Sequence, residues 1–475
     1  MAHYRLTVIA LLALTLLATA CSQDEELPAD DYPSVRGPDA AEDLDPTLAV
    51  AEYELVVDEA EVALFEDTAP VAMYAYNGQV PGPVLHARVG ETVRVHVTNN
   101  LSMPTSVHWY GMRVPFEMDG VNINGVYAIG PGQTFTYEFV ARDAGTFWYR
   151  PHVQANVQVE AGLYGGFIVH EADEIRPDVD ADRLVILDDL LLDSDESLAA
   201  HDMEHHTRMH GRTGNALIAN GAERAPRVHM APGEVQRWRL VNAANARPFD
   251  LVFPGLEVRQ IGRDGCLWKQ DWTRDIETLF LPMGARADLE VRLAEDTTDG
   301  ELAAIVLTQG SFGPVETEIE LVPVRLDEDA EPSSAAGHTS DPTYELPSAD
   351  ATSDIDHTAH FGVGFNDADQ AQWMIDQKTW PEYTEWEVAV GDEQVIELVN
   401  DVGFEYPLHF HGTRFKVLSR NNQAVDEPGL RDTVWLEGDS SVVIAATYDA
   451  PGSWVYQSSL LEYSILGMMG VVEVR

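Results

Sequence analysis

From about Ala49 to Arg475, apolar residues collect in short runs rich in Val, Ile, Tyr, Phe and Thr, among them Thr92 to Val97, Thr134 to Val140, Val235 to Val241 and Val395 to Val399. Pro-Gly, Asn-Gly and Asp-Gly pairs separate the runs. Alternating side chains point to opposite faces of a strand, so such runs predict half-buried strands joined by tight turns. The pattern is that of β-sandwiches.

The first and last thirds follow one plan. A strand ending in Asn leads to a His-bearing segment, then a turn, then a strand running into Trp-x-Tyr or its near equivalent. Val97-Thr-Asn99 precedes His108 and Gly145-Thr-Phe-Trp148-Tyr149; Leu398-Val-Asn400 precedes His409 and Gly452-Ser-Trp454-Val-Tyr456. The middle third keeps Leu240-Val-Asn242 without a comparable His motif. This reads as an internal repeat of one sandwich. It predicts domains at 49–171, 172–322 and 357–475, with residues 323–356, rich in Asp, Glu, Ser, Pro and Ala, as an exposed linker.

The amino terminus has its own pattern. Arg5 precedes the apolar run Leu6 to Ala20, too short to span a bilayer, and Ala18-Thr-Ala-Cys21 closes it. Residues 1–21 are therefore expected to be a signal peptide with a lipobox, and Cys21 the lipidated first residue of an exported protein attached to a bacterial membrane. Residues 22–48, acidic and without apolar periodicity, are expected to be a disordered tether.

The formal charge of −51 is spread along the chain, and only Lys269, Lys378 and Lys416 are lysines. A diffuse acidic surface repels nucleic acid and anionic membranes, which excludes both as direct binding partners, and external salt would screen its self-repulsion. With Cys21 lipidated, Cys266 has no cysteine to pair with and is expected to be an inert packing residue.

Four segments carry the candidate chemistry. They are His108-Trp-Tyr110-Gly, Trp148-Tyr-Arg150-Pro-His152, Tyr406-Pro-Leu-His409-Phe-His411-Gly, and Tyr456-Gln457-Ser458-Ser459 followed by Tyr463 and Met468. Residues two apart in a strand share a side, so His409 and His411 can direct both imidazoles into one cavity. With the flanking Asn77 to Pro83, Gly162 to Gly165 and Leu466 to Met469, these segments resemble the four copper-binding motifs of multicopper oxidases. The resemblance covers about Tyr53 to Arg475. It implies an all-β chain of three consecutive cupredoxin-like Greek-key β-sandwich domains.

Carried over position by position, the resemblance implies that the blue-copper site would be Tyr406, Ser458, Tyr463 and Met468, where the family has His, Cys, His and Met. Without a thiolate, no type 1 blue copper is expected. His108 and His409 match the type 2 ligands. His152 and His411 match two ligands of one type 3 copper, with Gln457 third, and Tyr110, Arg150 and Ser459 stand where the other type 3 copper would bind. The expected metal ligands are therefore His108, His152, His409 and His411, holding one or two copper ions. The resemblance also implies that Asp119, in Met118-Asp-Gly120, is the acid behind the type 2 copper; a guanidinium is expected to replace the missing copper, with Arg150 hydrogen-bonded by Tyr110 and Asp119 as its counter-ion.

Two functions follow. The first is a non-oxidase binding or scaffold protein of the envelope, with an unidentified envelope protein or small molecule as partner, by analogy with copper-free relatives that serve cell division. The alternative is a copper-binding protein or oxidoreductase using the residual His site between domains 1 and 3. A second cluster, His201-Asp-Met-Glu-His205-His206-Thr-Arg-Met-His210, would place His201 with His205 and His206 with His210 if helical, and is expected to be a solvated loop.

Overall fold

The computed structural model describes residues 35–44, 50–65, 68–121, 128–172, 175–310 and 313–475. The signal-peptide region, Cys21 and most of the expected tether lie outside them. Strands dominate, arranged as three pairs of facing sheets.

In the first sandwich, Val71–Tyr76, Val50–Val62, Thr92–Asn99 and Thr134–Val140 form one sheet. Gly82–Arg88, Gly165–His170, Gly145–Arg150 and His108–Tyr110 form the other. Thr92–Asn99 alternates strictly between buried and part-exposed residues, because one face meets the core and the other meets solvent. Gly145–Arg150 and Gly165–His170 are buried throughout. On their inner faces Phe147, Tyr149 and Phe167 join Trp109 in the first core, while Trp148 and Ile168 pack against Leu184, Ile186 and Val241 of the middle sandwich. This two-sided burial explains why these runs are apolar without alternation.

The middle sandwich is built on Ala181–Leu190, Gln236–Asn242, Arg286–Leu293 and Leu256–Arg263, faced by a sheet containing Asp299–Gly310 and Gly313–Leu326. The third is built on His357–Phe365, Glu393–Asn400, Ser441–Thr447 and Phe415–Arg420, faced by Glu385–Val388, Met469–Val474, Gly452–Ser458, Tyr406–Phe410 and Thr433–Leu436.

The repeated strand-end asparagines do the same work in each unit. Asn99 donates to the carbonyls of Met103 and Ile129, Asn242 to those of Arg247 and Leu281, and Asn400 to those of Phe404 and Glu437. Each side-chain oxygen accepts from the amide two residues on. A side chain that satisfies three main-chain groups ties a strand end to the loop that leaves it.

One expectation needs correction. Residues 35–44 of the expected tether are packed onto the body: Val35 and Arg36 pair in parallel with Asp182 and Arg183, and Ala41 donates to the carbonyl of Val84. Residues 327–356 are mostly exposed or half-buried, and the segment is tethered at a few points: Val324 and Arg325 are strand residues, His338 is buried against the Trp268 carbonyl, and Ser348 and Ala349 donate to Glu393. Acidic composition does not reveal the backbone pairing of residues 35–44. Cys266 is buried in a hairpin beside the Asp264-Gly265 turn, and burial raises its thiol pKa.

Candidate metal centre

The first and third sandwiches meet where His108–Tyr110 and Tyr406–Phe410 face each other. His108 and Arg150 are directly opposed across one strand pair, and His409 lies opposite Gln457 and Thr433 across two others. His411 follows the end of its strand and still faces His409, with ring centroids 4.8 Å apart. Ligand atoms of His108, His409 and His411 all lie within 4.8 Å of one another. The three residues are each 1% exposed.

Each of these rings is held by its Nδ1. His108 Nδ1 lies 2.9 Å from the Asp119 carbonyl, His411 Nδ1 lies 2.8 Å from Asp119 Oδ2, and His409 Nδ1 lies 3.1 Å from the Asp432 carbonyl. Acceptors at Nδ1 fix the tautomer with the proton there and leave the Nε2 lone pairs facing inward. All three Nε2 atoms are buried without a hydrogen-bond partner among the described residues. Gly120 makes this possible: it adopts φ +71°, and a Cβ there would overlap the Val107 carbonyl, so only glycine lets the loop carry Asp119 against His108.

Burial pulls His409 down to about 4 and His411 well below the usual imidazole value, so both are neutral at physiological pH. Burial alone would raise Asp119, but His411 and His108 reverse this and hold it below the usual carboxylate range. Neutral imidazoles backed by carboxylates are the donor set that copper or zinc prefers. The residues present fit such an ion.

His152 adjoins the triad without joining its 4.8 Å group, and its Nε2 is also buried without a hydrogen-bond partner among the described residues. Its ring centroid is 6.2 Å from that of His108 and 5.7 Å from that of His411, and it is 8% exposed. Burial and Arg150 lower its pKa to about 3, and its side chain borders Gln457.

Arg150 is buried inside, as expected of a guanidinium replacing a metal, but its partners are not those anticipated. Asp119 faces His108 and His411 instead. Tyr110 hydrogen-bonds Ser459 at 2.6 Å and Thr433 at 3.3 Å, and its ring stacks on His409 with centroids 3.8 Å apart. Arg150 lies over the Tyr110 ring at 5.4 Å and donates from Nη1 to the Pro151 carbonyl. The tyrosine points its hydroxyl across the interface because two hydroxyls of the third sandwich wait there.

The positions matched to blue copper are packed with aromatic side chains. Tyr406 donates to Asn400 at 2.7 Å, Tyr463 donates to the Met209 carbonyl at 2.7 Å and stacks on Trp373 at 3.5 Å, and Met468 is buried in the same core. Ser458 accepts from the Leu460 amide. Phenol rings thus fill this volume and have their hydroxyls satisfied.

No sequence motif points to Asp432, Thr433 or Arg286. Arg286, from the middle sandwich, grips Asp432 through two hydrogen bonds of 2.7 and 2.6 Å and donates to the Thr146 carbonyl of the first. Asp432 in turn orients His409, so the domain without a ligand motif still sets the geometry of a ligand. No short-range motif marks residues that act through contacts 140 or more positions apart. His201 and His205 do not share a helix face, because the helix is only His205–His210; His206 and His210 lie 4.8 Å apart, and His201 approaches buried Glu462 at 3.6 Å.

Comparison with known proteins agrees with this architecture. The chain is 27% identical over 435 residues to multicopper oxidase MmcO of Mycobacterium tuberculosis, covering 84% of this chain and 82% of that protein. It is 28% identical over 277 residues to copper resistance protein A of Pseudomonas syringae pv. tomato, covering 48% of this chain and 45% of that protein. A solved multicopper oxidase from Pseudomonas thermotolerans superposes with a TM-score of 0.76 at 26% identity, over 90% of this chain and all of that one. The Campylobacter jejuni metallo-oxidase has the same fold, with a TM-score of 0.78 at 22% identity over 93% and 96%. Residues 59–174 and 353–475, the segments that bring the imidazoles together, match the multicopper oxidase family, and the chain belongs to that family.

Proposed function

We propose that this chain binds one copper ion through the Nε2 atoms of His108, His409 and His411, and that it does not carry out laccase-type four-electron oxidation. The observation carrying this reading is the set of three buried, inward-facing, unpartnered Nε2 atoms whose rings are fixed from behind. Leaving three such acceptors in a dry interface costs about 1–3 kcal/mol each. A fold keeps that arrangement most readily when a ligand repays it.

A bound copper ion would supply a single type 2-like redox or Lewis-acid centre. The chain's own groups do the rest. Asp119 holds His108 and His411, Asp432 holds His409, and the surrounding strands keep bulk water away. His152 borders Gln457 outside the 4.8 Å group, so the three-imidazole set is where this reading places the ion. Multi-electron oxidation needs an electron entry site and a complete copper pair; Ser458, Tyr406 and Tyr463 supply no thiolate or imidazole for the first, and Tyr110, Arg150 and Ser459 supply no imidazole for the second. The reading includes export and attachment through Cys21, supported by the apolar run and small residues before that cysteine.

Elemental analysis after copper loading and exhaustive dialysis tests the proposal, alongside His409→Ala. One ion per chain, absent from the variant, with a type 2 spectrum and no intense blue absorption, is the expected result. Metal content equal in both proteins would overturn it. No retained metal would instead favour the envelope scaffold.

A further inference from the structure

Arg150 is the least compensated cation in the described interior. It is 1% exposed, and Nη1 donates to the Pro151 carbonyl. Nε and Nη2 have no partner among the described residues. No described carboxylate forms an ion pair with it. By contrast, Arg237, Arg239 and Arg286, equally buried, each face one or more carboxylates.

The unpartnered atoms are not a random pair. Nε and Nη2 form one edge of the guanidinium, with parallel N–H bonds that bind an anion in bidentate fashion. The rings of Tyr110 and Trp148 lie 5.4 and 5.7 Å from the guanidinium carbon. Aromatic faces stabilise the cation but cannot accept its strongest hydrogen bonds. Directly opposed residues in an antiparallel pair project from the same face, so Arg150 shares a face with His108, and Trp148 with Tyr110. The open edge therefore belongs to the same interface as the three imidazoles. Trp148 Nε1 is another buried donor without a partner, so the neighbourhood has an excess of donors.

We propose that Arg150 binds a small monovalent anion, of halide size, through its Nε–Nη2 edge beside the three-imidazole centre. One guanidinium without a second cation in contact suits a single negative charge. The near-complete burial of Arg150, Tyr110 and Trp148 suits a small ion and excludes a bulky organic acid. The anion compensates a charge that is otherwise costly to bury unpaired. Because the edge is formed by this side chain alone, the site does not depend on copper occupying the imidazoles.

Two measurements on the full mature chain test this. Crystals grown without added metal and soaked in sodium bromide should give an anomalous peak in hydrogen-bond contact with Arg150 Nε and Nη2. Water-like density without anomalous signal at that edge, or a carboxylate of this chain occupying it, would overturn the proposal. In solution, melting in potassium bromide should exceed that in potassium gluconate at equal ionic strength by about 2 °C, and the difference should vanish in Arg150→Gln. An equal difference in the variant would also overturn it. Should Arg150→Gln fail to fold, the anomalous experiment decides, and since neither measurement involves copper, its outcome is separate from that of the copper-binding proposal.

Discussion

His409 and His411 show how burial turns a common side chain into a ligand prepared for metal. A histidine whose folded pKa is depressed favours folding fully above the unfolded value of about 6.5, and loses that contribution as pH falls toward the folded value. His409 at about 4, and His411 lower still, therefore stay neutral well below the range in which exposed histidines protonate. Copper retention should be flat from about pH 7 to about pH 5.5 and fall as pH approaches 4, measured by dialysis and elemental analysis across that series. Half-loss near pH 6.5 would show that the imidazoles titrate as solvated groups. The four histidines and the His409-x-His411 spacing were legible in the sequence, because metal ligands must be particular residues at particular strand positions. Asp119 stands behind His108, as the resemblance implies, but it does not pair with Arg150, because residue type says which charges are complementary and not which ones touch.

At the scale of the strand, the repeated asparagine is the feature that sequence and structure share most directly. Asn242 satisfies the carbonyls of Arg247 and Leu281 and the amide of Ala244, all in the sandwich that carries no ligand motif. Asn242→Ala should leave these groups without a partner at about 1–3 kcal/mol each and lower stability by about 3 kcal/mol or more. Denaturant unfolding followed by tryptophan fluorescence would check this, as Trp238 is buried on the same strand. A loss below about 0.5 kcal/mol would mean that the loop relaxes to satisfy them. The strand pattern was readable because period-two burial follows from backbone geometry, as in Thr92–Asn99. The pairing of Val35 and Arg36, and the anchoring of Ser348 and Ala349 by Glu393, were not readable, because neither segment has an apolar face to announce it.

Across the whole molecule, a charge of −51 sets the dependence on solvent. Self-repulsion among surface carboxylates falls as the Debye length shrinks from about 10 Å at 0.1 M salt to about 3 Å at 1 M. The melting temperature should rise by several degrees between 0.1 and about 1 M sodium chloride, followed by calorimetry. A flat or falling curve would place the acidic residues in compensating local pairs. The sequence by itself determined the β-sandwich class, the repeated plan, the family resemblance and the identities of the imidazoles, because these depend on periodicity, turn chemistry and ligand type, all of which are local. Only the tertiary structure decided that the imidazoles of His108, His409 and His411 converge, that Asp432 is gripped by Arg286, and that the Nε–Nη2 edge of Arg150 is left without a described partner. Those outcomes depend on how separate sandwiches dock, and docking is settled by complementary surfaces far apart in the chain.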